Sequence, residues 1–195
     1  MADFEVIAAV SHTLQTFLTD ALSTLVPAPA PIAQAHDLLD TVPTNPAHLT
    51  IFLFEVGEDP SARNRPRVRS VAPPDVTLRK PPMALLLRYL MTPFSGDQLT
   101  NHKILGRVLQ VLYDEAIISG SFLQGVLKDT DQALKITLSP LSLEERTRVW
   151  HSVQKPYRLS LSYEVRVVNL DSTVLDQITP VANRLADFAT PEVEP

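Results

Sequence analysis

The chain has 195 residues, of which 45% are hydrophobic and 20% are charged, a balance typical of a folded domain with a sizeable core. It contains no cysteine, which excludes disulfide bonds, thiolate zinc sites and cysteine nucleophiles. Its five glycines leave little material for a phosphate-binding loop, and its net charge of −5 gives no general attraction to nucleic acid or anionic lipid.

The first half of the chain predicts one helix followed by strands. Apolar residues recur at three- and four-residue steps from Phe4 to Leu25, which predicts an amphipathic helix over 3–26 that stops before Pro27. After a short proline-rich connector, apolar runs predict strands. These strands are expected over 32–37, Leu49–Val56 and Met83–Met91, and on the last of them Leu85, Leu87, Tyr89 and Met91 share one face.

An irregular segment, 57–82, separates the two strongest strands and contains six prolines. A compact domain rarely keeps so many residues without structure unless they serve a purpose. The segment therefore either contains a short hairpin around Arg67–Val71 or forms a functional loop.

The sign of the charge changes within this segment. Residues 1–62 carry eight acids and no lysine or arginine, whereas residues 63–80 carry six bases and one acid. An acidic part and a basic part on one molecule can bring copies together head to tail. The alternative is that the basic segment is a solvated surface without a partner, because exposed arginines are common.

The second half predicts two more helices and two more strands. A helix is expected over 97–115, with Ser95 or Asp97 as its N-terminal cap. Lys135–Ser139 predicts a short strand. The sequence Ser-Leu-Glu-Glu that starts at Ser142 has the spacing of a capping box, so a third helix is expected from there to about Val153.

Strict alternation over Tyr157–Val168 predicts a half-buried strand with one side covered. Its apolar face is Tyr157, Leu159, Leu161, Tyr163, Val165 and Val167, and its polar face is Arg158, Ser160, Ser162, Glu164 and Arg166. From Asp171 onward Val174, Ile178, Val181 and Leu185 have loose helical spacing, which Pro180 interrupts, and the last residues have the composition of a frayed tail. The fold class expected is α+β, with a mixed, mainly antiparallel sheet flanked by helices.

No motif for catalysis, cofactor binding or metal binding is complete. Gly120 and Gly125 have phosphate-loop spacing, but Val126 and Leu127 follow where a lysine and a hydroxyl would be needed. The five histidines are far apart in the sequence, and Asp129–Asp131 lacks the glycine and the closing glutamate of a calcium loop. We therefore expect a protein that is not an enzyme and that has no cofactor.

Three alternatives remain open from the residues. Residues 63–80 could bind nucleic acid or a small anionic ligand, although stacking aromatic residues are missing beside them. An unrecognised enzyme would need a pocket in which at least two of four acidic and histidine residues meet. These residues are His36, Asp37, His48 and Glu55. The single tryptophan, Trp150, is either a core residue or an interface anchor.

Four segments in order resemble the N-terminal domain family of the cap proteins of contractile injection systems, which are phage-tail-like particles. The segments are LTIFLFEVGEDPSARN, PPMALLLRYLMTPF, ILGRVLQVLY and LSLEERTRVWHSVQKPYRLSLSYEVRVV. The matching positions are Arg63 with Asn64, Tyr89 to Thr92, and Trp150 with Pro156, Tyr157, Arg158, Ser160 and Tyr163. The resemblance covers most of residues 1–170, and residues 171–195 form a C-terminal extension.

The resemblance implies a tail-terminator-like fold and a structural role. Cap proteins of this kind form a six-membered ring that ends polymerisation of the inner tube and sheath and joins them at the end away from the baseplate. The implied partners are further copies of the chain, the sheath protein and the inner tube protein, without nucleic acid or membrane. The implied location is the bacterial cytoplasm during assembly and then the particle. The interface residues expected are Arg63, Asn64, Arg65, Arg67, Arg69, Trp150, Tyr157 and Arg158.

Overall fold

The computed structural model describes residues 4–25, 29–62, 66, 68–72, 75–79, 81–170 and 175–178. The chain divides into two compact units. The larger unit is Met1–Asn64 with Pro82–Asp171, and the smaller is Arg65–Pro81 with Ser172–Pro195. The division into a domain over 1–170 and an extension over 171–195 stays a prediction.

A six-stranded sheet forms the centre of the larger unit. Its strands are β1 (Ile32–Ala35), β2 (His48–Glu58), β5 (Met83–Phe94), β6 (Ile117–Ser119), β7 (Ala133–Leu138) and β8 (Leu161–Leu170), numbered in chain order. The strand order is β1-β2-β5-β8-β7-β6. Only β1 and β2 pair in parallel, and every other pair is antiparallel. The mixed, mainly antiparallel sheet is thereby confirmed.

One face of the sheet packs against two helices, α1 (Val6–Leu22) and α2 (Gln98–Asp114). Most of the apolar stripe that the sequence predicts on α1 is buried or partly buried, with Leu14, Leu18 and Leu22 inaccessible to solvent. The helix is shorter than the predicted 3–26, and Phe4, which precedes it, is exposed. The face expected on β5 is confirmed, because its four alternating apolar residues all lie in this core. Removal of this apolar surface from water is the main force that holds the two layers together.

The other face of the sheet is covered by α3 (Leu143–Ser152) and the loop that follows β1. The predicted capping box is present, since the Glu145 N–H donates to the Ser142 hydroxyl and the Ser142 N–H donates to the Glu145 carboxylate. Helices therefore flank both faces, as the predicted fold class requires. Within the described ranges, no helix combines the length and the apolar character needed to cross a bilayer.

The smaller unit contains a three-stranded antiparallel sheet in the order β3-β4-β9. β3 (Val68–Ala72) and β4 (Asp75–Arg79) form the hairpin that was one of the two interpretations of segment 57–82. β9 (Leu175–Ile178) pairs with β4, so the helical spacing predicted after Asp171 is wrong for these residues, which complete a sheet. The tail predicted at the C-terminus lies outside the described residues.

Two further boundaries differ from the sequence prediction. The alternating strand expected from Tyr157 begins only at Leu161, because residues 157–160 run past the sheet without a strand partner. The ambiguous segment after α2 forms β6 and two short 3₁₀ turns, in which Gly120 and Gly125 have φ of 64° and 61°. A Cβ at Gly125 would also lie 3.2 Å from the Cβ of Ala9. Both glycines therefore serve turns.

Asp97→Ala is expected to lower the midpoint of thermal unfolding at pH 7. The Asp97 carboxylate caps α2 and accepts hydrogen bonds from the Thr100 hydroxyl and N–H, each at 2.8 Å. Both bonds lower the pKa of Asp97, and the bond from the Thr100 hydroxyl has the larger effect. Their stabilisation is therefore present above the pKa of the unfolded carboxyl and is lost as the pH falls through the lower folded pKa.

Differential scanning calorimetry of both proteins across the acid range tests this cap. The difference in midpoint should shrink as the pH falls, and Asp97→Asn, which keeps an acceptor, should lose less than Asp97→Ala. A difference that is the same at pH 7 and in acid would contradict the assignment of the stabilisation to the ionised carboxylate.

Candidate interaction surface

The predicted interface residues fall into two groups. Arg63, Asn64, Arg65 and Arg67 lie outside the described residues, and Arg69 lies on β3 of the smaller unit, where its register partner is Leu78. The remaining three, Trp150, Tyr157 and Arg158, lie in the larger unit and come close together. The geometry of this second group is described below.

Trp150 is a core residue, with 2% of its surface exposed. It lies on α3 and packs in a cluster with Leu38, Val42 and Leu90 on the second face of the sheet. Its indole N–H is buried and has no hydrogen-bond acceptor among the described residues. Its side chain therefore presents almost no surface to a partner and acts by supporting the residues around it.

Tyr157, Arg158 and Leu159 form an exposed ledge between α3 and β8. Tyr157 is 41% and Leu159 is 47% exposed, because this stretch passes the end of the sheet before strand pairing begins. The guanidinium carbon of Arg158 lies 4.5 Å from the ring centroid of Phe94, the last residue of β5. This cation–π contact holds the charge at a defined position on the surface.

A groove lies on each side of the ledge, and Arg158 lines both. The first, which we call the α2 groove, has a volume of about 580 Å³ and runs between the ledge and the start of α2. The second has a volume of about 300 Å³ and runs between the ledge and the loop after β1, with Asp40, Trp150 and Lys155 among its lining residues. The ledge is thus the shared wall of two clefts.

The two edges of the six-stranded sheet differ. On β1 the outward N–H of Ala33 donates to the Thr19 hydroxyl at 3.1 Å, and that of Ala35 donates to the Gln15 amide oxygen at 3.3 Å. Side chains of α1 therefore occupy this edge. At the opposite edge, β6 pairs with Ala133–Lys135 of β7, and the Ile136 N–H donates to the Ala116 carbonyl oxygen at 2.8 Å, so within the described residues only the end of β7 at Thr137 and Leu138 extends beyond this pairing.

The open edge is bordered by apolar side chains. Beside it lies a groove of about 630 Å³ between the end of α2 and β7. Tyr113, Ile117 and Leu138 are all exposed there. Exposed apolar groups next to unpaired backbone groups are typical of a surface that accepts a strand from another chain.

Of the four residues that an enzyme would need, only His36 and Asp37, which are adjacent in the sequence, lie within ion-pair distance of each other in the described part of the chain. His36 accepts a hydrogen bond from the Leu38 N–H, the ring of His48 bonds to the Pro46 carbonyl oxygen, and Glu55 pairs with Arg88 at 3.0 Å. His36 does lie 3.7 Å from its neighbour Asp37. The described part of the chain contains no group of three or more histidine, aspartate or glutamate side chains that could hold a metal ion.

The wall of the α2 groove that faces the ledge was not predicted from the sequence. It is formed by Ser95, Gln98, Asn101 and His102, of which the last three lie on one face of α2 at steps of three and four residues. The helical pattern places Ile104 and Leu105 in the core and leaves these polar residues outward. That pattern is typical of any solvated helix face, so only the fold reveals the groove.

The family model of the Pvc16 N-terminal domain matches residues 9–184, which is most of the chain. The chain belongs to the Pvc16 N-terminal domain family. The resemblance to the N-terminal domain family of the cap proteins is thereby confirmed. No curated protein matches the chain significantly.

Two solved structures share the fold of this Pvc16 N-terminal domain. The first is the sheath/tube terminator of an extracellular contractile injection system, PVC, in the extended state, with 20% identity and a TM-score of 0.59 over 95% of this chain. The second is the tube-terminating cap of the anti-feeding prophage, with 19% identity and a TM-score of 0.56 over 96% of this chain. The tail-terminator-like fold is confirmed.

The chain spans 65% of the length of the first of these proteins and 62% of the second. At this level of identity the likeness establishes the Pvc16 N-terminal domain fold. It leaves the activity and partners of the whole proteins to be argued from other observations.

Proposed function

We propose that the chain is a structural cap of a contractile injection system. It ends polymerisation of the inner tube and sheath and joins them at the end away from the baseplate. The observation that carries this proposal is the family match, together with a shared fold over 95% of the chain with a protein described as a sheath/tube terminator. The role is non-catalytic, in keeping with the scattered positions of the acid and histidine residues.

The unequal edges of the sheet support this role. A terminator must offer one surface that matches the last ring and another that does not template a further ring. The edge formed by β6 and the end of β7 can accept a strand from a sheath subunit by backbone pairing, whereas the β1 edge is occupied by Thr19 and Gln15. A subunit with one receptive edge joins a growing structure without extending it.

In the proposed assembly the chain forms a ring, six-membered by analogy with tail terminators, around the end of the tube. Closed rings use heterologous contacts, in which two different surfaces of each copy meet. The basic residues Arg63, Arg65, Arg67 and Arg69, with Asn64 among them, contact the acidic part of a neighbouring copy or the sheath. Assembly takes place in the bacterial cytoplasm, and the chain then becomes part of the injection particle.

Native mass spectrometry of the full chain with purified tube and sheath proteins tests this function. We expect binding to at least one of the two and a closed ring on the assembled particle. A chain that binds neither protein overturns the proposal, as does a micrograph of particles whose upper end is complete without it. A free monomer is compatible with the proposal, because the ring can require the particle as a template.

Replacing Arg65, Arg67 and Arg69 together by glutamate is expected to weaken assembly and to leave folding intact. Charge reversal turns attraction between the acidic and basic parts into repulsion, which mainly slows association. The matched control reverses three exposed bases elsewhere, Lys103, Lys128 and Arg148. Equal loss of assembly in both triple variants, measured by sedimentation with tube and sheath, would assign the effect to net charge alone and contradict the predicted contact.

A further inference from the structure

The α2 groove has the features of a binding site whether or not the chain is a cap. None of its lining residues is acidic, although the chain has 22 acidic and 17 basic residues. The groove therefore offers an incoming group one permanent positive charge, and none of its lining residues offers a negative one.

That charge belongs to Arg158, which has no carboxylate within ion-pair distance among the described residues. Three other arginines of the same unit each have a glutamate partner at 3.1 Å or less, namely Arg88, Arg148 and Arg166. Arg107 has no carboxylate partner among the described residues either, but its guanidinium donates to the Ala21 carbonyl oxygen and the Gln110 amide oxygen. Arg158 instead rests on the Phe94 ring, which fixes its position and leaves its N–H donors available.

The opposite wall adds hydrogen-bonding groups at helical spacing. Gln98, Asn101 and His102 share one face of α2, and the Asn101 amide oxygen lies 2.9 Å from the Ser95 hydroxyl. The side chains of Gln98 and His102 have no hydrogen-bond partner among the described residues. The α2 groove therefore has polar side chains on its helical wall and a positioned cation, Arg158, on the ledge.

The rim identifies the class of ligand. Tyr157 and Leu159 are half-exposed on either side of Arg158, so apolar surface borders the charge directly. Tyrosine and arginine together, with apolar contact area around them, are the residues enriched where proteins bind other proteins. Charge complementarity with Arg158 then requires that the bound segment be acidic.

We propose that the α2 groove binds a short acidic segment of a partner polypeptide. A carboxylate of that segment pairs with the Arg158 guanidinium, its apolar groups lie on Tyr157 and Leu159, and its backbone bonds to Gln98, Asn101 and His102. A guanidinium recognises a carboxylate through two parallel hydrogen bonds, which fixes the direction of the bound segment.

Peptide display on the full-length chain tests the proposal. A library of short random peptides is selected at low salt against the protein and against Arg158→Gln, and the bound peptides are sequenced. Aspartate and glutamate should be enriched with the unaltered protein and should lose that enrichment with Arg158→Gln.

The best peptide is then synthesised in acidic form and in a form with its carboxylates replaced by amides. By fluorescence anisotropy, both the amide form and Arg158→Gln should weaken binding about tenfold.

Arg148→Gln is the matched control, because it removes another exposed arginine, on α3 and outside the groove. The affinity of this variant for the peptide should stay within about twofold of that of the unaltered protein. Circular dichroism checks that Arg158→Gln is folded. If Arg158→Gln does not fold, Gln98→Glu is used instead. This variant places a negative charge on the α2 wall of the groove and should weaken binding of the acidic peptide. The proposal is overturned if aspartate and glutamate are not enriched in the peptides bound by the unaltered protein. It is also overturned if they are enriched equally with Arg158→Gln and with Gln98→Glu. Displacement of the peptide by a labelled oligonucleotide also overturns it and assigns the groove to nucleic acid.

Discussion

Trp150→Ala is expected to lower the free energy of unfolding by about 3–5 kcal/mol, the usual cost of truncating a large buried aromatic side chain. Trp150 is the largest of the fully buried side chains and forms the contact between α3 and the second face of the sheet, where Leu90 is inaccessible to solvent. Its removal leaves a cavity between α3 and the sheet, and the sheet cannot move to fill it because strand pairing holds its backbone in place. Urea unfolding followed by far-ultraviolet circular dichroism measures the change, since the variant contains no tryptophan.

Trp150→Phe separates packing from hydrogen bonding. The indole N–H has no acceptor among the described residues, so its loss removes no bond, and the phenylalanine ring refills most of the volume. We expect a cost of about 1–2 kcal/mol. Tyr157→Ala on the exposed ledge should change stability by about 0.5 kcal/mol or less. A Trp150→Ala variant as stable as Tyr157→Ala would contradict the placement of Trp150 in the core.

Tyr163→Ala is expected to cost a similar amount, about 3–5 kcal/mol, for a related reason. Tyr163 is 3% exposed and lies on β8 between Tyr89 of β5 and Leu138 of β7, so its ring belongs to the core under α1 and α2. Chemical denaturation at pH 7 gives the value. Tyr163→Phe is the control, since it keeps the ring and should retain most of the stability.

Tyr163→Phe should also change how the free energy of unfolding depends on pH. Burial raises the pKa of Tyr163 from 10.0 to about 12, so the folded protein holds this proton more tightly than the unfolded chain does. The free energy of unfolding should therefore fall as the pH rises from 10.0 towards 12, and Tyr163→Phe should remove part of that fall. If the free energy of unfolding fell equally with pH in both proteins, Tyr163 would ionise as easily in the folded protein as in the unfolded chain, which would contradict the prediction.

Local patterns predicted most of the larger unit. The 3.6-residue spacing of α1, the apolar alternation of β5 and the capping box at Ser142 are short-range signals, and each agrees with the structure. Strand order was not predictable, because pairing partners such as Met91 and Leu161 are far apart along the chain. The start of β8 was placed too early because alternation continues through Tyr157, where no neighbouring strand is available for pairing.

The candidate surface was only partly predictable. Tyr157 and Arg158 were identified from the family resemblance, yet the sequence gives no indication that Arg158 rests on Phe94 or faces Asn101. Those contacts depend on the turn between β5 and α2 and on the path of the chain after α3. Both are tertiary features, and polar residues at such positions have no pattern of their own.

The bonds that Thr19 and Gln15 make to β1 also bear on how the free chain behaves at high concentration. Fibrils built from stacked strands need every molecule to present two unsatisfied flanks, one to receive and one to offer. Here the N–H and carbonyl of Ala33 and the N–H of Ala35 are already bonded to side chains of the molecule's own first helix. A second molecule that adds a strand at β1 would have to break these bonds first, so open-ended stacking through this sheet is disfavoured.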